Sequence, residues 1–363
     1  RALDGETEVS QGSELVEGGY GSVLLSFDDL HLWCPSDPFL YSLVIEITDD
    51  TGDALDRVES YFGAREVSCE PDDSGHMRLH LNGSPIFHLG LLDQGWWPDG
   101  LLTAPTDEAL KFDIEATLGM GFNTIRKHVK VEPARWYWHA DRLGVLVWQD
   151  MPSTVFNMVE FGKQLKKGVE PEEMEWDSIS PGKDPDGFRS ELDAMLTALQ
   201  PFASIVAWVP FNEAWGQHDT NETLAHVMRF DPTRLVDGPS GWTDMGLGHM
   251  RDHHLYQGAE QLPAAESGRA TVYGEFGGIS LYIDGHSMFE KGWGYTKTES
   301  VEDFLTSYEE LLTAIGSLIP EGLAGAIYTQ TTDVESEING LLTYDREYKV
   351  QPERIRSIHE RIL

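Results

Sequence analysis

SIVAWVPFNEAWGQ, Ser204 to Gln217, is the stretch on which the fold turns. Its first half is β-branched and aromatic at Ile205, Val206, Trp208 and Val209, and it stops abruptly at an amide and a carboxylate, Asn212 and Glu213. An apolar run of that length reads as a buried core strand. When such a strand ends in polar groups, it delivers them to a pocket rim, as the strands of a (β/α)8 barrel do at their C-terminal ends. ATVYGEFGG, Ala270 to Gly278, has the same design, with Val272 and Tyr273 leading into Glu275 and two glycines. Glu213 and Glu275 are therefore the first catalytic candidates, and the expected chemistry lies between them.

Working outward, residues 1–70 read as strands without helices. VLLSFDDL (Val23 to Leu30), FLYSLVIEITDD (Phe39 to Asp50) and DRVESYFGAREVSC (Asp56 to Cys69) alternate apolar and polar residues and are broken by Pro35, Pro38 and Gly52. Four or five strands are fewer than the roughly seven of an immunoglobulin-like sandwich. The expectation is an all-β sandwich that is small or incomplete on its N-terminal side.

After PDDSG (Pro71 to Gly75) the texture changes, and residues 71–363 alternate strands with helices. A hairpin leads into a strand at Ile86 to Leu91, and further strands are predicted at Thr124 to Lys127, Val145 to Gln149, Ile205 to Phe211, Arg234 to Asp237, His254 to Tyr256, Thr271 to Tyr273 and Ala324 to Thr329. Helices are predicted over Asp107 to Leu118 with a Thr106-Asp107 cap, from Pro133 to Gly144, Arg189 to Leu199, Glu222 to Phe230, Val301 to Ile319 and Pro352 to Ile362. Eight strands with helices between nearly all of them match a (β/α)8 TIM barrel in count and length. Met151 to Phe188 is polar, Pro/Gly-rich and aperiodic, and reads as a long functional loop.

The chain of 363 residues has 62 acidic against 26 basic side chains, a net charge of −36. Such a surface repels nucleic acid and anionic membranes, so neither is an expected partner. No apolar run reaches the roughly 18 residues of a membrane span, and no signal-peptide pattern opens the sequence. Cytoplasmic and exported locations both stay open, as does the oligomeric state. Cys34 and Cys69 are too few for a disulfide framework, lack zinc-ligand spacing and are expected to be free thiols. His253 and His254 adjoin Asp252, but neighbouring strand residues face opposite ways and do not readily share one ion, so no metal site is expected and no cofactor is invoked.

Several of these stretches resemble glycoside hydrolase family 2, the β-galactosidase and β-glucuronidase family. LHLWCPSDPFLYSLVIEI (Leu30 to Ile47) is similar to the end of the family's sandwich, GFNTIRKHVKVEPARWYWHADRLGVLVWQDMP (Gly121 to Pro152) to its second and third barrel strands, and PFNEAWG and YGEFGG to its two catalytic motifs. The family carries a jelly-roll domain, a sandwich and then a barrel; this chain resembles the C-terminal part, with the N-terminal jelly-roll missing.

The resemblance implies a retaining β-glycosidase acting on a carbohydrate substrate, with Glu213 as acid/base and Glu275 as nucleophile. Retention needs two carboxyls roughly 5–5.5 Å apart, the acid with a raised pKa. It further implies that Asn212 binds the sugar 2-hydroxyl and that Tyr256 orients the nucleophile. Arg126, His128 and His254 are expected to line the sugar site. Trp97, Trp215 and Trp293, with Trp96, follow strand ends or lie in loops where aromatic faces stack on sugar C–H surfaces. Two departures from the family concern the substrate: Gln149-Asp150 ends the third strand where many relatives carry Glu, and Thr329-Gln330 ends the last where relatives present Trp. Glu335 and Asn339 in the loop that follows are further candidate contacts. The competing reading is a carbohydrate-binding fragment of a larger enzyme with weak or absent turnover.

Overall fold

A computed structural model of the chain describes residues 1–153, 163–164, 166–168, 184–256, 262 and 266–363. The N-terminal strands β1 (Ala2–Asp4), β2 (Thr7–Ser10), β3 (Tyr41–Thr48) and β4 (Ala54–Phe62) form one antiparallel sheet in the order β2-β1-β3-β4. β5 (Val67–Pro71), β6 (Met77–Leu81) and β7 (Ser84–Pro85) form a second, with Asn82 and Gly83 both at positive φ in the tight turn between β6 and β7.

The barrel follows: β8 (His88–Asp93), β9 (Thr124–Lys127), β10 (Leu146–Asp150), β11 (Ile205–Val209), β12 (Leu235–Val236), β13 (Met250–Leu255), β14 (Ala270–Phe276) and, after the small parallel pair β15 (Ile279–Leu281) and β16 (Thr296–Thr298), β17 (Leu323–Tyr328). Its order is β12-β11-β10-β9-β8-β17-β14-β13, every pair parallel. A parallel bridge between Asp237 and Met250 joins the two outer strands, so the sheet closes on itself. Strands buried on both faces need continuous apolar runs, which is why β11 and β17 are buried at every position.

Leu92, Trp148, Val206, Val272 and Ile327 fill the interior together with Leu79 and Leu81 of β6, so the second sheet plugs the barrel's N-terminal end. Trp148 is fully buried, and truncating it to Ala would cost about 3–5 kcal/mol. The outer layer is made by helices Asp107–Gly119, Ala134–Leu143, Pro185–Leu199, Thr220–Phe230, Val301–Leu318 and Pro352–Ile362. Thr106, Asp184 and Ser300 cap three of them by accepting the N–H of Ala109, Gly187 and Asp303. The first sheet docks beside β11: Asp141 takes the Tyr61 hydroxyl at 2.9 Å and the Ser204 N–H at 2.7 Å, while Arg65 donates to the Ala203 and Ile205 carbonyls.

Two expectations are corrected. Val23 to Leu30 is not a strand: Val23 and Leu24 are exposed, and Phe27 docks 5.4 Å from the Tyr41 ring. Alternation marks a face but supplies no ladder partner. The hairpin of β1 and β2 was not expected, because its strands are only three and four residues long; its signal was Asp4-Gly5, with Gly5 at φ 57°. The N-terminal module is small and all-β, as expected, with its four strands in one antiparallel sheet. As the absence of a predicted helix between Asp237 and His254 implies, the connection from β12 to β13 carries none. Most of the expected functional loop between Met151 and Phe188 lies outside the described residues. Cys34 and Cys69 are both free.

Candidate active site

The barrel gathers polar side chains at the C-terminal ends of five strands. β9 supplies Arg126 just ahead of His128, β10 ends at Asp150, β11 leads to Asn212 and Glu213, β13 carries Asp252 and His254 just ahead of Tyr256, and β14 carries Glu275. After β11 the chain turns through Glu213 and Ala214 at φ 45° and 61°, a conformation that non-glycine residues avoid and that clusters at functional sites. The Glu213 N–H donates to the Ser240 carbonyl at 2.8 Å and so fixes that turn.

Glu213 and Glu275 converge. The Tyr256 hydroxyl lies 2.6 Å from Glu275 Oε2 and 3.2 Å from Glu213 Oε1. His254 Nδ1 is 2.8 Å from Glu213 Oε1 and 3.7 Å from Glu275 Oε1. Arg126, fully buried, donates to both Asp150 oxygens at 3.0 Å, to Asn212 Oδ1 at 2.7 Å, to the Gly274 carbonyl at 3.1 Å and to Glu275 Oε1 at 3.4 Å. With its oxygen taken by Arg126, the Asn212 amide keeps Nδ2 as the free end for donation. Asp150 also takes His128 Nδ1 at 2.9 Å.

The electrostatics follow from these contacts. Burial opposes the Arg126 charge, but Asp150 and Glu275 outweigh it and hold the guanidinium firmly protonated. Burial pushes Asp150 up, yet Arg126 and His128 bring it below the usual carboxylate range. For His254, burial opposes protonation, and the Glu275 and Glu213 carboxylates reverse the balance and raise it. Tyr256, buried between two carboxylates, keeps its proton. Glu213 departs from the sequence expectation of a raised acid: burial lifts it, but the His254 hydrogen bond and charge win and lower it.

The aromatic candidates divide. Trp293 is half exposed and meets Tyr295 edge-on at 5.5 Å, and Tyr295 stacks on Tyr256 at 3.6 Å, so Trp293 is joined to the glutamates through two rings. Trp215 stands edge-on to His128 at 6.1 Å. Trp97 is corrected: it is buried with the Arg346 guanidinium 3.6 Å above its ring, and its described contacts tie it to that packing rather than to the glutamates. Gln149 is likewise structural, holding the Tyr137 hydroxyl and the Lys130 carbonyl.

Sequence reasoning missed Asp150 as the anchor of Arg126 and His128, and missed Ser240, Tyr295 and Glu337. In the loop after β17 it named Glu335, which is exposed, instead of Glu337. Glu337 accepts from Asn339 at 2.9 Å, Asn339 accepts from Gln330 at 3.0 Å, and Gln330 accepts from Gln94 at 2.9 Å. Burial, opposed by the Asn339 bond and reinforced by the Glu275 charge, pushes Glu337 up to about 7.

Among the described residues, Glu213, His254 and Glu275 have ligand atoms within 4.8 Å of one another. The 2.8 Å contact between His254 Nδ1 and Glu213 is a direct hydrogen bond, tighter than the ~3.3 Å between two ligands around a tetrahedral zinc. The cluster is arranged to hold a proton. A separate cleft of about 530 Å³, lined by Ser60, Tyr61, Arg135, Trp138 and Phe202 beside the first sheet, holds no carboxylate pair and is not the site of this chemistry.

The family model for glycosyl hydrolases family 2 matches residues 2–65. The chain is similar to a β-galactosidase large subunit of Leuconostoc lactis, 26% identical over 240 residues that cover 65% of this chain and 35% of that protein. It is also similar to a β-galactosidase of Oenococcus oeni, 29% identical over 139 residues, which are 38% of this chain and 13% of that protein. The chain thus spans about a third, or less, of the length of these relatives. Among solved structures, the β-glucuronidase of Ruminococcus gnavus superposes with a TM-score of 0.70 at 18% identity, over 99% of this chain and 63% of that one. A β-galacturonidase from Eisenbergiella tayi bound to galacturonate superposes with a TM-score of 0.67 at 18% identity, over 94% of this chain and 62% of that one. At such identities the superpositions establish a shared fold.

Proposed function

From its kinship with the family 2 glycoside hydrolases, we propose that this chain cleaves β-glycosidic bonds with retention of configuration, Glu275 acting as nucleophile and Glu213 as acid/base. The observation that carries the reading is the single Tyr256 hydroxyl held between the two glutamates. Two carboxyls bridged by one hydroxyl lie near the separation of about 5–5.5 Å used for double displacement and well inside the 6.5–9.5 Å that leaves room for an inverting water.

The steps balance as follows. Glu275 forms a bond to the anomeric carbon as the bond to the leaving oxygen breaks, and Glu213 gives that oxygen a proton. Glu213 then takes a proton from water, whose oxygen attacks the anomeric carbon and releases Glu275. Tyr256 and Arg126 orient Glu275 for attack. Asn212 Nδ2, aimed by Arg126, donates to the sugar hydroxyl next to the reacting carbon. His128 and Trp215 form one wall, and Trp293 offers its exposed face at the mouth. An uncharged sugar is supported by Arg126, whose donors are already engaged by Asp150 and Asn212.

The test is a panel of p-nitrophenyl β-glycosides with the chain, Glu213→Ala and Glu275→Ala, each with azide. Glu213→Ala should retain most activity on good leaving groups and yield a β-glycosyl azide, whereas Glu275→Ala should yield an α-glycosyl azide. Binding of a fluoro-sugar without an adduct at Glu275, and no turnover, would instead support the binding-fragment reading.

A further inference from the structure

Behind the two glutamates runs a line of buried polar groups that the proposed hydrolysis does not use. His254 Nε2 lies 2.8 Å from Ser240 Oγ, and Ser240 Oγ lies 2.5 Å from Asp252 Oδ2. The other Asp252 oxygen takes the Gly274 N–H at 2.5 Å, one residue before Glu275. Asp237, fully buried at the end of β12, lies beside Asp252 and feels its charge. Two glycines make the line possible. A Cβ on Gly274 would overlap the Asp252 carboxylate, and one on Gly241, at φ +86°, would lie 2.8 Å from His254 Nδ1.

A count of protons fixes the roles. Asp252 accepts from Gly274, and as a carboxylate it also accepts the one Ser240 hydroxyl proton. Ser240 Oγ can then only accept from His254, so Nε2 carries a hydrogen. That leaves Nδ1 as the ring position facing Glu213. Either Nδ1 is protonated and donates to the Glu213 carboxylate, or Glu213 is protonated and donates to Nδ1. One proton is shared across that 2.8 Å contact.

We propose that Ser240 and Asp252 are positioning residues that hold His254 with hydrogen on Nε2, so that Nδ1 stores the acid proton of Glu213 and returns it when the glycosidic oxygen needs it. This rests on the reading of Glu213 as acid/base. It explains how a glutamate lowered in the substrate-free site serves as an acid: the proton waits on the neighbouring ring, and the total charge of the pair is the same before and after it returns. Asp237 is raised well above the usual range, first by burial and then by the Asp252 charge, so it keeps its own proton. The charged and titratable groups around His254 are Glu213 after β11, Glu275 and Tyr256 toward the pocket, Arg126 from β9, Asp237 from the end of β12, and Asp252 and His253 on its own strand.

The experiment joins nitrogen NMR of histidine-labelled, substrate-free protein to the pH profile of kcat/KM on aryl β-glycosides with poor leaving groups. Ser240→Ala removes the acceptor for Nε2–H but keeps the backbone bonds to Phe211 and Glu213. It should bring the His254 titration and the alkaline limb of the profile down together by roughly one pH unit, the shift expected from losing a hydrogen bond to a charged group. Asp252→Asn places a donor against Ser240, reverses its hydroxyl and should move the ring hydrogen from Nε2 to Nδ1. That swap is visible by NMR even where the variant is slow, and it keeps the test open if Ser240→Ala folds poorly. A His254 titration unmoved in Ser240→Ala, or Nε2 unprotonated in the parent chain, would overturn the assignment. Turnover of no glycoside alongside the expected NMR titration would overturn the hydrolase reading and leave the proton assignment standing.

Discussion

Tyr295 lies face to face with Tyr256, the ring centroids 3.6 Å apart and the planes 7° from parallel. The stack fixes the ring whose hydroxyl bridges the two glutamates, so it sets where that hydroxyl can point. Tyr256→Phe keeps the stack and loses the donor, and kcat should fall by about 10²-fold, as for other single preorganised donors. Tyr295→Leu keeps the donor and loses the ring that steadies it, so a smaller fall of roughly 10-fold is expected. Steady-state kinetics on one aryl glycoside check both, and equal losses would show that the stack, not the hydroxyl, dominates.

Arg126 is the most heavily engaged side chain in the site, with contacts to Asp150, Asn212, Gly274 and Glu275 and no exposed surface. Replacing it with Met strands the Asp150 carboxylate in the barrel, and a loss of about 3–5 kcal/mol in urea unfolding is expected. Arg126→Lys retains the charge but not the planar fork that holds Asp150 and Asn212 together, so it should fold and lose most of its activity through kcat. Activity of Arg126→Lys close to the parent's would refute the orienting role given to Asn212.

The parts of this site that were legible in the sequence are those written along a single strand. β11 and β14 announce themselves because a continuous apolar run stops at Glu213 and at Glu275, and that pattern needs no partner to be read. The supporting groups are not written that way. Asp150, Ser240 and Asp252 lie on three separate segments, and only the parallel register of the barrel brings them behind Arg126 and His254. Trp97 misled for the converse reason. Its position after a strand end is right for a sugar platform, but Arg346, far along the chain, covers its ring. The short strands β1 and β2 owe their existence to β3, which pairs with β1 at Ala2 and Leu43.

Glu337 makes a pH-dependent contribution to stability whose sign can be worked out. Its folded pKa of about 7 lies above the model-compound value of 4.5, so between those values the folded chain holds a proton that the unfolded chain has released. Stability therefore falls as pH rises through this window and levels off above it. Glu337→Gln has no such proton to lose, and its stability relative to the parent should grow from pH 4.5 to pH 7 by on the order of 2–3 kcal/mol. Urea midpoints at several pH values check this. A flat difference across the range would mean that Glu337 is more solvated than its burial and its bond to Asn339 imply.

Gly241 offers the sharpest separation of geometry from chemistry, because it carries no functional atom. Its φ of +86° disfavours any side chain, and a Cβ there would sit 2.8–2.9 Å from the His254 ring, closer than real contacts allow. Gly241→Ala must therefore push the ring away from Glu213 or twist the loop that holds Ser240. The backbone strain should cost about 1–2 kcal/mol, within what a domain of this size tolerates. Activity should fall much further than stability, because the 2.8 Å contact between His254 Nδ1 and Glu213 is what the displaced ring loses. Since the acid's proton is at stake, the loss should be steepest for glycosides with poor leaving groups and slight for dinitrophenyl ones, which depart without protonation. Parallel measurements of kcat/KM across a leaving-group series and of thermal unfolding decide the matter. An even loss across the series would show that Gly241 serves the fold alone.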